Sequence, residues 1–122
     1  LVVLDKLKSI CKNVKAVWGN MDPKEVKERL PQKEIIKIAN YKIGVMHGEG
    51  APYNLKAMLS QFFKEDGVDI IIFGHSHSPL NEKVGGILYF NPGSATDKAF
   101  APYNSYGIIE INAKIKARIV KI

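Results

Sequence analysis

His75 and His77 stand two residues apart in the run Gly74-His75-Ser76-His77, directly after the apolar stretch Val68-Asp69-Ile70-Ile71-Ile72-Phe73. Imidazoles at that spacing can turn toward one point, and neutral imidazole is the commonest metal ligand. Gly74 removes a side chain where backbone must pass close to whatever the imidazoles hold. Taken alone, such a pair reads equally well as a surface loop with two solvated histidines. The chain has 3 histidines, and the third, His47, also precedes a glycine at the end of an apolar run, in Met46-His47-Gly48. Asn20 lies in a third break of this kind, Gly19-Asn20-Met21-Asp22-Pro23. Asn20, His47, His75 and His77 are therefore four N/O donors at strand ends, a set suited to a borderline transition metal such as Mn, Fe, Co, Ni or Zn. Ser76 has no base in view, which excludes a serine-hydrolase reading.

The elements that must bring these donors together can be read from periodicity. Residues 68–73 form a buried strand, parallel and covered on both faces. In open α/β sheets the carboxyl ends of such strands are where ligands bind. Val14 to Trp18 reads as an earlier strand, and Glu34 to Ala39 with Lys42 to Met46 as a hairpin joined at Asn40-Tyr41. Val3, Leu4, Leu7, Ile10 and Cys11 fall at helical spacing, which places Cys11 in the core. Asp22 is the expected N-cap and Pro23 the first residue of a helix carrying Val26 and Leu30. Asn54 is the expected cap of a helix whose stripe is Leu55, Met58, Leu59, Phe62 and Phe63. Gly85-Gly86 is a two-residue hairpin turn. Tyr106 to Ile111 and Lys114 to Ile122 form a last antiparallel pair, with Lys114, Lys116 and Arg118 pointing outward. Helices and strands alternate first and hairpins follow, so the fold class is α/β with mixed sheets, in one domain over 1–122.

Composition narrows the partners. Eighteen Lys+Arg against 12 Asp+Glu leave +6, spread along the chain without an aromatic-interleaved basic block. That is a solvated surface with a mild attraction for anions and no nucleic-acid footprint. One cysteine precludes an internal disulfide and fits a reducing compartment, so a cytoplasmic location is expected. No apolar run is long enough for a membrane span, and no signal peptide is visible. The sequence begins at Leu1, without methionine and within a helical pattern, so the natural N-terminus is expected to lie further upstream.

The motifs Gly19-Asn20-Met21-Asp22, Met46-His47-Gly48, Gly74-His75-Ser76-His77 and Asn91-Pro92-Gly93-Ser94, in this order, resemble the later motifs of the calcineurin-like metallophosphoesterases, and most of all their small prokaryotic phosphodiesterases. The run Asn91 to Thr96 also resembles the retromer scaffold subunit, which shares that fold. The resemblance implies a four-layer α/β/β/α sandwich with a two-metal site at one end of the sheets. It implies Asn20, His47 and His75 on the second metal and His77 on the first. Asn20 and His47 are then the residues expected to carry catalysis, Asn20 holding a phosphate oxygen as well as a metal. Asn91 to Ser94 are expected to support the site through their backbone. Two divalent ions about 3.5–4 Å apart would activate a shared water against a small phosphate ester.

Two departures stand out. The family's first motifs, an Asp-x-His and a Gly-Asp whose carboxylate bridges the metals, do not occur in these 122 residues. The resemblance therefore implies a chain lacking its N-terminal βαβ unit, with Ile70, Ile72 and the strand from Val14 bordering exposed apolar surface and self-association as the consequence. Met21 stands where many relatives carry the histidine read as the acid for the leaving group. The resemblance thus leaves two readings: a metal-dependent phosphodiesterase, and a catalytically inactive protein–protein scaffold of the same fold.

Overall fold

The computed structural model describes residues 2–122. Five strands form one mixed sheet in the order β1-β2-β3-β5-β4, where β1 is Lys33–Ile38, β2 Tyr41–Met46, β3 Ile70–Ile72, β4 Leu80–Val84 and β5 Ile87–Asn91. The central strands β2, β3 and β5 run parallel, so their carboxyl ends, and the loops that follow them, open on one side. The outer strands β1 and β4 are antiparallel to their neighbours. β3 is three isoleucines paired on both edges, which is why it reads as an unbroken apolar run rather than an alternation. Gly85 and Gly86 turn β4 into β5 with φ of 58° and 82°, the left-handed pair that a two-residue hairpin turn demands. The first hairpin turns at Ala39-Asn40, one residue earlier than expected, because Tyr41 already pairs with Ile38.

Alternation along the strands gives the sheet two apolar faces. Met46, Ile71, Phe73 and Tyr89 meet Leu55, Leu59 and Phe63 of the helix α3 (Leu55–Phe62) and its end. Gly44 belongs to this contact, since a Cβ there would lie 2.6 Å from the Phe63 ring. Phe90 faces the other way, onto Gly107 of the two-stranded sheet formed by β6 (Ser105–Ile111) and β7 (Ile115–Lys121). Buried Ser105 donates from its hydroxyl to Pro92 O at 2.7 Å and ties this hairpin to the end of β5. The fold is mixed α/β with a mixed sheet, as the periodicity predicts.

The N-terminal third departs from expectation. Val14 to Trp18 forms no strand; Trp18 N donates instead to Pro31 O at 3.0 Å. A strand needs a neighbour's backbone, and the sheet ends at β1 and β4 without reaching these residues. Cys11 is exposed, not core. It continues the helix α1 (Val2–Ile10), which buries Leu4 but leaves Val3 and Ile10 about three-quarters exposed, at 73% and 74%. Asp22 does not cap the helix α2 (Lys24–Arg29); its carboxylate turns back to accept from Gly19 N at 2.7 Å, and Pro23 occupies the cap position. Asn54 sits at the N-cap of α3 without a side-chain cap bond, because a 3₁₀ turn, Pro52–Asn54, leads into the helix. Ile70 is fully buried, on the face it shares with Phe90 and onto which the β6–β7 hairpin packs, whereas Ile72 on the same face is half-buried. Among the described residues no helix is long and apolar enough to cross a membrane.

Candidate metal centre

The loops after the three parallel strands meet at one end of the sheet. His47 follows β2, and its carbonyl accepts from Gly74 N at 2.9 Å, so the two histidine loops are joined through backbone. The His47 and His75 rings lie edge to face, with centroids 5.4 Å apart at 77°. The loop carrying Asn20 lies against the same imidazole: a Cβ on Gly19 would be 3.1 Å from His47 Nδ1. Close approach, not backbone angle, is what favours glycine there.

His75 and His77 both adopt left-handed backbone, with φ of 68° and 60°. Such angles are uncommon for residues with a Cβ and cost on the order of 1–3 kcal/mol each. Surrounding bonds hold the loop in this shape. Asn91, fully buried at the end of β5, donates from Nδ2 to Gly74 O at 3.2 Å and to Ser76 Oγ at 3.0 Å. Its Oδ1 accepts from Gly93 N at 2.9 Å. Asn91 therefore supports the site with its side chain rather than its backbone. His75 Nε2 bonds to Gly50 O at 2.8 Å. His77 Nδ1 bonds to Asp97 Oδ2 at 2.6 Å.

Asp97 is a site residue that motif reasoning did not single out. Its carboxylate also accepts from the backbone N–H groups of Ala99 at 2.8 Å, Phe100 at 3.2 Å and Ala101 at 3.0 Å. The bond from His77 first, and these backbone donors with it, lower its pKa to about 2. The only sequence signal was an aspartate three residues beyond Ser94, whose Oγ accepts from Asp97 N at 3.0 Å.

Burial lowers the pKa of His47, and the neighbouring His75 and, less, His77 add to that, while the charge of Asp22 opposes it. At neutral pH His47 is thus an uncharged imidazole with a free lone pair, the form a metal requires. The structure brings His47, His75 and the Gly19-Asn20 loop together. It points His77 at Asp97. Asn20 is exposed, and its carbonyl accepts from Lys27 Nζ at 3.1 Å. Met21 is 90% exposed and offers no proton at the rim.

By type, imidazole and amide donors fit a borderline divalent ion. Among the described residues, however, no three His, Cys, Asp or Glu side chains stand close enough to hold a metal by themselves. The donor set therefore fits part of a metal centre and contains no carboxylate that would bridge two ions. A cavity of 360 Å³ lined by Tyr41, Asp69, Asn81 and Lys83 lies at the other end of the strands, away from the histidines.

Comparison with known proteins shows the family and the fold. The profile described as a calcineurin-like phosphoesterase superfamily domain matches residues 1–114. A probable metallophosphoesterase of Methanocaldococcus jannaschii is 40% identical over 121 residues, which are 98% of this chain and 60% of that protein. The chain thus spans less than two thirds of that relative's length. The crystal structure of wild-type Vps29 of Entamoeba histolytica in complex with zinc is 32% identical, with a TM-score of 0.73 over 96% of this chain and 73% of that one. An archaeal phosphodiesterase shares the fold, at a TM-score of 0.77 and 22% identity over 100% of this chain and 76% of that one.

Proposed function

The chain belongs to the calcineurin-like phosphoesterase superfamily, and from that premise we propose that it forms the histidine side of a metal-dependent centre that hydrolyses small phosphodiesters. The observation that carries this reading is the His47–His75 pair: two imidazoles 5.4 Å apart, one of them kept neutral by burial, with an amide-bearing loop against it. His47, His75 and Asn20 would hold one divalent ion and His77 a second, from the group Mn, Ni, Co, Fe and Zn. A carboxylate contributed from outside these 122 residues would bridge the two. The ions, when bound, supply a water whose pKa falls from 15.7 toward about 7 and so a nucleophile at neutral pH.

The chain's own residues do the rest. The exposed Asn20 amide would donate to a phosphate oxygen. His47, uncharged, contributes a lone pair without repelling a cation. Met21 has no proton to give, so leaving groups that depart as stable anions are preferred; general acid assistance is typically worth about 10²–10⁴-fold. We further propose a cytoplasmic protein that acts on a small ester rather than on nucleic acid, and that self-associates through its exposed apolar side chains.

The scaffold reading is the second one. It is favoured by Met21, by the incomplete set of ligands and by the likeness to Vps29. Hydrolysis of a p-nitrophenyl phosphodiester with Mn²⁺, Ni²⁺ or Co²⁺ separates the two. The comparison is between this chain, the chain extended by a segment carrying Asp-x-His and Gly-Asp, and the extended chain with His75→Ala. The enzyme reading expects little turnover from the first, metal-dependent turnover from the second and its loss in the third. An extended chain inert with every metal leaves the scaffold.

A further inference from the structure

We propose that Asp97 is a positioning residue, which holds His77 in its Nδ1–H tautomer and so keeps Nε2 as the bare donor atom for a divalent cation. The role toward a cation rests on the function proposed above; the tautomer itself does not. A carboxylate can only accept, so at 2.6 Å the shared proton belongs to the imidazole Nδ1. A neutral imidazole carries one N–H, and Nε2 then holds the lone pair.

The acceptor is fixed rather than free to rotate. Asp97 takes three backbone N–H donors besides His77, and its side chain is 14% exposed. Its own carbonyl accepts from Asn104 Nδ2 at 2.7 Å, and Ser94 Oγ accepts from its N–H. His77, at φ 60°, thus meets a preset carboxylate. His75 is fixed in the opposite sense. Its Nε2 donates to the Gly50 carbonyl, which leaves Nδ1 bare. Two histidines separated by one residue therefore present different ring nitrogens, which lets a short loop serve two points in space.

Asp97 also answers a charge problem. Asn20, His47, His75 and His77 are neutral ligands, and a carboxylate bonded to the far side of an imidazole raises that imidazole's basicity toward a cation. Asp97 is the negative charge this chain places directly behind a donor.

Long-range ¹⁵N–¹H correlation on the full, metal-free chain near neutral pH reads the tautomer directly. The expected result is a protonated Nδ1 and an unprotonated Nε2 at His77, with the reverse at His75. A protonated Nε2 at His77 in the unaltered chain overturns the proposal without any variant. In Asp97→Asn, His77 should revert toward the Nε2–H form, and Asp97→Glu should keep the Nδ1–H form. If Asp97 served only its own loop, Asp97→Asn would move the amides of Ala99 to Ala101 and leave the His77 tautomer alone, which also overturns it. In Zn²⁺ titrations followed at the His77 ring signals, Asp97→Asn should need about 10–100-fold more zinc for half-saturation, and equal midpoints would remove the role toward a cation. Absence of hydrolysis in the extended chain with the tautomer intact would reject the function proposed above and not this inference.

Discussion

The segment from Tyr41 to Asn91 arrives at the candidate centre through β2, β3 and β5, each paired on both sides, while the segment from Val2 to Pro31 arrives through two short helices and coil whose backbone bonds run within the segment itself. The two are alike in pattern. α1 and α3 both carry apolar residues at helical spacing, and residues 14–18 are as β-prone as residues 43–46. They differ in what covers them. α3 buries Leu55 and Leu59 against the sheet, whereas Val3, Leu7 and Ile10 of α1 face solvent. Periodicity states that an element has an apolar side; it does not state what lies opposite. For the centre, the consequence is that His47, His75 and His77 stand on a rigid base and Asn20 on a looser one.

The widest contrast should appear in amide hydrogen exchange. Ile70 to Ile72 should exchange only through global unfolding, which for a typical domain is about 5–15 kcal/mol. Val14 to Val17 should exchange near the rates of unstructured chain, and equal protection of the two stretches would abolish the distinction. Next comes Leu59→Ala, which should lower stability by about 2–5 kcal/mol in denaturant melts because Leu59 is fully buried between α3 and the sheet. Asn91→Ala should cost about 1–3 kcal/mol, since it leaves half-buried polar groups at Gly74, Ser76 and Gly93 without their partner. It should also broaden the His75 and His77 ring signals, which a loss confined to the core would not do. Smallest is Ile10→Ser on α1, expected within about 0.5 kcal/mol. A loss as large as that of Leu59→Ala would mean that the α1 face is covered in solution.

The parts of the fold that could be read in advance are those in which local sequence and tertiary context agree. Three consecutive isoleucines before Gly74 can only be an interior strand, and Gly85-Gly86 can only be a tight turn. The convergence of His47 and His75 followed from both standing after parallel strands. The failures have one cause, which is a partner chosen by tertiary geometry. Val14 to Trp18 has strand residues but no sheet edge beside it. Asp22 accepts from Gly19 N rather than capping α2. Cys11 lies at the exposed end of an apolar stripe whose Leu4 is buried. Asp97 stands twenty residues from His77 in a polar loop, and nothing in its neighbourhood marks it as an imidazole's partner.

The left-handed backbone at His75 and His77 has a consequence for how this domain can change. Glycine or asparagine would suit both positions better than histidine does. Either exchange would relieve the backbone and also give up a bond, to Gly50 O at His75 and to Asp97 at His77. Backbone relief and ring bonding therefore pull in opposite directions at each position. What fixes the residue type there is the partner of the ring, not the shape of the loop.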